Sequence, residues 1–517
     1  MTKSYFIGIG GTGARCAEAL LHLCAAGLGP EELWMGFVDP DASNGNLERT
    51  KDLLKLYQDT RASLRRPGAS QLSPASPLFR TDIRTATSGA SWSQIPADYA
   101  SMRALFHHSM MEDDSRDLLD ALYLRDEQEM DLSHGFRARP AVGAAVIGAR
   151  VGEGEAFWED VFAARSVASQ NRDVRIFLVG SVFGGTGASG FPVIAQRLRE
   201  ALGSTRISIG GALALPYFAY EPPEGGGTIY ANSGSFIHQA RGALEHYQDR
   251  LSAPQQGGAL FDNLFVIGWP RLVQLPVSRT GGRGQCNPPL LPELYGALAA
   301  ARFFHGGPVP GAKVLHIAKN DAESLVWEDL PTVASGATGS SDVKASMGRL
   351  VRFAAAYSGV YGPLLERSTH RLYQSHFWYR RLLGATQADL DKDDTQNARA
   401  KLDSYCRSLL RWMVTLSRIS SHEKMVVSLF RDSAVGAEGP LERDGLLPLH
   451  DDLFKKTRDQ FADLIVDSAP GTASLDQVLD NLNDARPPPG AEGLSAFVEA
   501  LFDQCALASA KPLRRSA

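Results

Sequence analysis

Arg175-Ile176-Phe177-Leu178-Val179-Gly180 leads into Gly184-Gly185-Thr186-Gly187-Ala188-Ser189-Gly190, and Phe191-Pro192-Val193-Ile194-Ala195-Gln196-Arg197-Leu198 follows. The first run is short and apolar, as a strand buried on both faces is, and the last carries apolar residues at helical spacing. Strand, glycine loop, helix is an order that aims backbone N–H groups and a helix N-terminus at one spot, where an anion is stabilised. Gly8-Ile9-Gly10-Gly11-Thr12-Gly13 repeats the arrangement at the start of the chain, between an apolar run at Tyr5 to Ile9 and a helix expected over Ala14 to Ala26. Two such loops in one domain suggest one polyphosphate held from two sides, with Gly10, Gly11, Thr12 and Gly13 on one side and Gly184, Gly185, Thr186, Gly187 and Ala188 on the other.

Neither loop is a Walker loop, since no Lys-Ser or Lys-Thr follows the glycines. The first loop, its helix and a strand Met35-Gly36-Phe37-Val38 ending in Asp39 also suit a dinucleotide-binding unit, which would make the chain an NAD or FAD oxidoreductase. That alternative leaves the second glycine loop without a role.

Composition narrows the class. The chain has 517 residues, 44% hydrophobic and 21% charged, as expected of an ordinary globular protein with a large core. A net charge of −5 gives no support for a nucleic-acid binder. Five scattered cysteines argue for a reducing compartment and against a disulfide framework or a zinc site. No secretory signal is visible and no run reaches membrane-span length, so a cytoplasmic protein is expected.

Apolar runs alternate with amphipathic segments over the first part of the chain, the pattern of an α/β fold with a parallel sheet under helices. Strands are predicted at Tyr5–Ile9, Leu33–Val38, Arg175–Val179, Ile207–Leu213, Asn263–Ile267 and Lys313–Ile317. Ser63 to Ser91 reads as a long loop rich in Ser, Pro and Arg. Tyr99 to Arg125 reads as helical, with Met102, Leu105 and Phe106 on one face and Leu118, Leu119 and Leu122 on the next. Beyond about residue 343 the periodicity is helical throughout, in segments such as Leu402–Leu416, Leu453–Ile465 and Leu494–Leu507. The expected division is a nucleotide-binding domain over 1–342, with a loop and helical insertion at about 60–135, and a helical domain over 343–517.

The Gly184–Gly190 loop resembles the signature loop of the tubulin/FtsZ superfamily, and the chain looks most like its divergent bacterial tubulin-like members. The resemblance covers about the first 330 residues in segments. It implies a Rossmann-like nucleotide domain that binds GTP, or another nucleoside triphosphate, with Mg2+ carried on the phosphates and no metal ligand from the protein. It also implies a GTPase whose copies stack head to tail into filaments. The family's second domain of mixed sheet and helix has no counterpart here. A helical C-terminal half instead leaves open a non-polymerising, nucleotide-gated scaffold that binds a partner protein.

The remaining site residues follow from that resemblance. Asp39-Pro40-Asp41 falls where the family keeps an acidic loop near the nucleotide, and it equally suits a plain turn. Arg139-Pro140-Ala141-Val142-Gly143 resembles the γ-phosphate loop, which would give Arg139 and Gly143 phosphate contacts; Arg137 and Arg139 equally suit surface charges. Pro216 to Glu221 resembles the ribose-facing loop, with Glu221 as acceptor. Asn232 opens a helix, as a nucleotide contact or only as a cap. Leu290 to Ala297 resembles the start of the central helix, placing Glu293 and Tyr295 near the base. The family's base-reading amide and acid fall on Ala299 and Ala300, so guanine specificity is not implied. Leu325-Val326-Trp327-Glu328-Asp329-Leu330-Pro331 resembles the catalytic loop that reaches the neighbouring subunit's nucleotide, with Asp329 the best match and Glu328 the second. The same acids also suit a helix-start turn.

Overall fold

Lys3–Ile9 (β1) is buried along all but its first residue, which is why its sequence reads as a continuous apolar run and not an alternating one. It passes directly into α1 (Gly10–Ala25), and β2 (Glu32–Val38) and α2 (Gly45–Leu64) follow. Two short strands come next, β3 (Asp82–Arg84) and β4 (Ser91–Trp92), then α3 (Pro140–Arg150), β5 (Val174–Ser181) and α4 (Gly185–Leu202). The series closes with β6 (Ile207–Ala214), α5 (Phe236–Ser252), β7 (Asn263–Ile267), α6 (Leu291–Gly306) and β8 (Val314–Ile317). The computed structural model describes residues 2–66, 70–92, 101–136, 139–152, 155–203, 205–220, 234, 236–252, 259–275, 282–311, 313–319, 324–333, 341–365, 376–383, 392–421, 425–466 and 474–507.

The strands form one parallel sheet in the order β8-β7-β6-β5-β1-β2-β3, with β4 pairing the far end of β2. From β1 the chain steps outward to β2 and β3, then returns to the other side of β1 and steps outward again through β5 to β8. The reversal therefore falls between β1 and β5. In open parallel sheets the crevice beyond the carboxyl ends at such a reversal is where ligands bind.

The six predicted strands are all present within a residue or two of their expected bounds. Two expectations need correction. The 63–91 segment is not all loop, since β3 and β4 extend the sheet from within it; strands of two or three residues are too short to carry a period. The helical segment near 99–125 is broken into short pieces, of which the longest is Asp113–Leu122. There Leu119 packs inward while Leu118 and Leu122 are 60% and 65% exposed, so the three do not share a buried face.

Downstream lie α7 (Ser341–Ala356), α8 (Asp393–Ser420), α9 (Leu453–Gln460), α10 (Leu475–Asp484) and α11 (Gly493–Leu507). Among the described residues this half has no strand, only isolated bridges such as Phe430 with Ile465. Helix α8 packs on α2, and α7 packs on both α8 and α11. His22 of α1 meets Tyr405 of α8 at 3.0 Å and stacks near Trp412, at 4.8 Å between ring centres. Burial drives the His22 pKa down to about 3, so it is a neutral packing residue and not a proton switch. One hydrophobic core runs through both halves. Among the described residues no helix is long and apolar enough to cross a membrane.

Candidate functional site

Both glycine loops are the first turns of their helices, not separate loops ahead of them. Helix α1 begins at Gly10 and α4 at Gly185, several residues earlier than the sequence pattern suggests. The first N–H groups of a helix have no partner within it, so starting the helix at the strand end leaves those donors facing the crevice. Gly10 turns the chain with φ +69°, a conformation costly for any residue with a Cβ. A Cβ there would stand 3.3 Å from Thr186 Cβ and 3.4 Å from the Gly187 nitrogen. The two loops thus touch each other, at the switch point between β1 and β5.

Around that contact opens a cleft lined by Gly10, Gly11 and Thr12 on one side and Gly184, Gly185, Thr186 and Gly187 on the other. Asp39 and Asp41 reach it from the end of β2, and Asn44 and Asn46 from the start of α2. Arg15, Gln285 and Asn287 complete the polar wall, while Phe136, Phe183, Phe218, Tyr220 and Phe236 supply an aromatic one. The amides are fixed by their own bonds. Asn44 caps α2 by accepting from the Asn46 N–H at 3.0 Å, Asn46 Oδ1 accepts from the Asn287 N–H at 2.8 Å, and Asn287 Nδ2 donates to Tyr220 Oη at 2.7 Å.

The two carboxyl groups differ in state. Asp41 is satisfied: its Oδ1 accepts from the Ser43 N–H at 3.0 Å and Oγ at 2.8 Å, and its Oδ2 accepts from the Gly282 N–H at 2.6 Å. Among the described residues, the Asp39 carboxyl accepts only from the Asp41 N–H, at 3.1 Å. Burial raises its pKa to about 8; that hydrogen bond pulls it down, and the charge of Asp41 pushes it up. At neutral pH Asp39 is mostly an uncharged acid.

The other expected site residues lie outside the cleft lining or outside the described residues. Gly13 and Ala188 are packed behind the loops: a Cβ on Gly13 would lie 2.6 Å from the Gly8 carbonyl carbon, and the Ala188 carbonyl accepts from Tyr247 Oη at 2.6 Å. Gly143 is also a packing position, since a Cβ there would run into Ser189, and Arg139 pairs with Glu127 at 3.4 Å outside the cleft lining. Glu293 and Tyr295 lie inside α6, 1% exposed each, and neither lines the cleft. Glu293 accepts from Arg15, from Tyr217 Oη at 2.7 Å and from the Leu290 N–H at 2.8 Å, and Tyr295 packs on Trp269. Glu221, Asn232 and Arg137 lie outside the described residues.

Glu328 and Asp329 sit in a turn away from the cleft. Asp329 accepts from Lys319 at 2.7 Å and from the Val326 N–H at 3.0 Å, whereas Glu328 is 61% exposed and meets Lys344 at 3.1 Å. Arg302 donates to Thr332 Oγ1 at 3.2 Å just after this turn. Arg302 stands nine residues beyond Glu293 in α6, roughly 14 Å along the helix at 1.5 Å per residue. The acidic turn therefore runs beside α6, with Thr332 near Arg302 and Asp329 near enough to Tyr295 that its charge, after burial, pushes that phenol's pKa up.

Sequence reading missed Arg15, Asn44, Asn46, Gln285, Asn287 and the aromatic wall. Arg15 had one legible signal, as a lone basic residue in a helix start of small and apolar residues. The others are ordinary loop residues until the fold brings them together.

No family model and no curated protein matches the chain. Among solved structures, CetZ from Methanosaeta thermophila strain DSM 6194 is similar at 13% identity and a TM-score of 0.20, over 52% of this chain and 46% of that one. The chain thus spans less than half the length of that protein, and a likeness this slight carries no argument about function.

Proposed function

We propose that the cleft binds a nucleoside triphosphate, GTP being the expected one, and that the chain is a tubulin-like nucleoside triphosphatase. One observation carries this: two helix N-termini, opened by glycines, meet at the reversal point of a parallel sheet. Free N–H groups from α1 and α4 would hold the phosphates from two sides, and the aromatic wall would take the base by stacking. Stacking alone does not distinguish bases, so weak preference among GTP, ATP and CTP is expected.

Magnesium fits the site as a companion of the phosphates more than as a ligand of the chain. Asp41 already accepts three hydrogen bonds and Asp39 holds its proton at neutral pH, which leaves phosphate oxygens and water as the available donors. Hydrolysis would then be in-line attack of water on the γ-phosphorus, breaking its bond to the β–γ bridging oxygen and releasing the nucleoside diphosphate and inorganic phosphate. In the described cleft lining Asp41 is held by three hydrogen bonds and Asp39 is buried, so the acid that orients that water would come from the 327–329 turn of another copy. The pairing of Asp329 with its own Lys319 favours a second reading, a nucleotide-gated scaffold that does not hydrolyse.

Calorimetric titration tests the binding claim. Wild-type chain should bind GTP, ATP or CTP, and Thr186→Trp, which fills the cleft from a half-buried position, should weaken them by on the order of a hundredfold while the protein stays folded. Tight NAD or FAD binding with no triphosphate binding would overturn the reading in favour of an oxidoreductase.

A further inference from the structure

The geometry points to Arg15 as the cationic phosphate anchor of this cleft, supplied from the second turn of α1 and held in place by Glu293 and Tyr217. The inference rests on the nucleotide reading and sharpens it, naming the residue that stands in for the lysine both glycine loops lack.

Arg15 is 2% exposed yet lines the cleft. Its Nε donates to Glu293 Oε1 at 2.5 Å and its Nη2 donates to Tyr217 Oη at 2.9 Å. Burial works against the charge, and Glu293 beside it more than restores it, so the guanidinium is permanently charged. Among the described residues no acceptor bonds Nη1. That nitrogen lies 3.6 Å from where a Cβ on Gly11 would stand, with Asn46 Nδ2 at 3.2 Å and Asn44 Nδ2 at 3.8 Å from the same point. Three side-chain donors therefore converge over Gly11, where the leading N–H groups of α1 also point. Asn46 Nδ2 also donates to Asn44 Oδ1 at 3.2 Å, so the charged Arg15 Nη1 is the donor a phosphate oxygen would meet first, and a phosphate offers only acceptors.

A merely structural Arg15–Glu293 pair, welding α1 to α6, makes a different prediction. Losing either partner would leave the other buried and unpaired, with similar damage. A phosphate anchor is asymmetric. Arg15→Gln removes the charge the ligand meets, whereas Glu293→Gln leaves that charge less compensated.

The test measures binding of inorganic tripolyphosphate, GTP, GDP and guanosine to the full chain. Arg15→Gln is expected to weaken tripolyphosphate and GTP by about 10- to 100-fold, the range of a charge-assisted hydrogen bond. It should weaken GDP less and leave guanosine unchanged. Glu293→Gln, whose side-chain oxygen can still accept from Arg15 Nε, should lose clearly less GTP affinity than Arg15→Gln, and Arg15→Lys should recover part of the loss. Should Arg15→Gln fail to fold, the comparison moves to Arg15→Gln/Glu293→Gln against Glu293→Gln, with the same expected ratio. Equal losses for Arg15→Gln and Glu293→Gln, or a guanosine loss as large as the GTP loss, would overturn the phosphate assignment while leaving nucleotide binding standing. Wild-type chain that binds tripolyphosphate through Arg15 but no nucleotide would instead keep the anchor and sink the nucleotide reading.

Discussion

Asp39 at the end of β2 is the titrating residue on which the cleft's charge depends. Its carboxyl sits at about pH 8 when folded and near the ordinary 3.8 when unfolded, chiefly because it is buried. The sign follows from proton counting. Between about pH 4 and pH 8 the folded chain holds a proton that the unfolded chain has released, so stability falls as pH rises across that window. Above about pH 8 both states are charged and the slope from this residue vanishes. Asp39→Asn cannot ionise and should flatten the fall. Melting temperatures from pH 4.5 to 8.5 are expected to converge at the acid end, with the variant ahead at the alkaline end, by up to a few kcal/mol. Parallel curves for the two proteins would mean that Asp39 is charged and hydrated at neutral pH.

Among the elements, α1 is the one whose position allows least change. Gly13 presses it against the sheet, and a Cβ there would stand 2.6 Å from the Gly8 carbonyl carbon and 2.7 Å from the Val179 oxygen. Both obstacles are backbone, so neither can rotate aside. Gly13→Ala should cost about 1–3 kcal/mol or more by pushing α1 off β1 and β5, and should blunt ligand binding with it. Gly242→Ala on α5, where a Cβ meets nothing within 4 Å, is the control and should be neutral or stabilising by roughly 0.5–1 kcal/mol. Urea unfolding of the two variants measures the contrast, and equal stability would refute the packing role. The same elements explain what could be read from sequence. Central strands were legible because burial on both faces makes them continuous apolar runs. Helix starts were not, since glycines that open a helix look the same as glycines in a loop. Glycine loops announce themselves locally, but Asn46 and Asn287 meet only because the sheet brings 241 residues of separation to one place. Glu293 and Tyr295 are not in the described cleft lining, and a helix position does not tell, without its neighbours, whether it faces a cleft or the core.

At the scale of the whole molecule the question is whether one copy completes the next. The acidic turn lies beside α6, and among the described residues neither Glu328 nor Asp329 lines the chain's own cleft. A contact between unlike faces propagates into a filament where its rotation does not close into a ring. Within the turn, Glu328 is the more exposed acid and Asp329 is engaged with Lys319 and the Val326 N–H. Glu328 would then do the reaching while Asp329 shapes the turn. Turnover per subunit should rise with protein concentration, alongside sedimenting polymer. Glu328→Gln should keep nucleotide binding and lose turnover by on the order of a hundredfold, as when a positioned acid–base group is removed. Asp329→Asn should lose turnover through a loosened turn, with a readout the first variant lacks, a lower melting temperature. Mixing Glu328→Gln with Thr186→Trp should restore part of the activity, because some contacts pair an intact turn with an intact cleft. Turnover that stays flat on dilution, with no rescue in the mixture, would rule out shared-site hydrolysis. The chain would then act as a nucleotide-gated scaffold, with the helical half after residue 340 as its partner-binding surface.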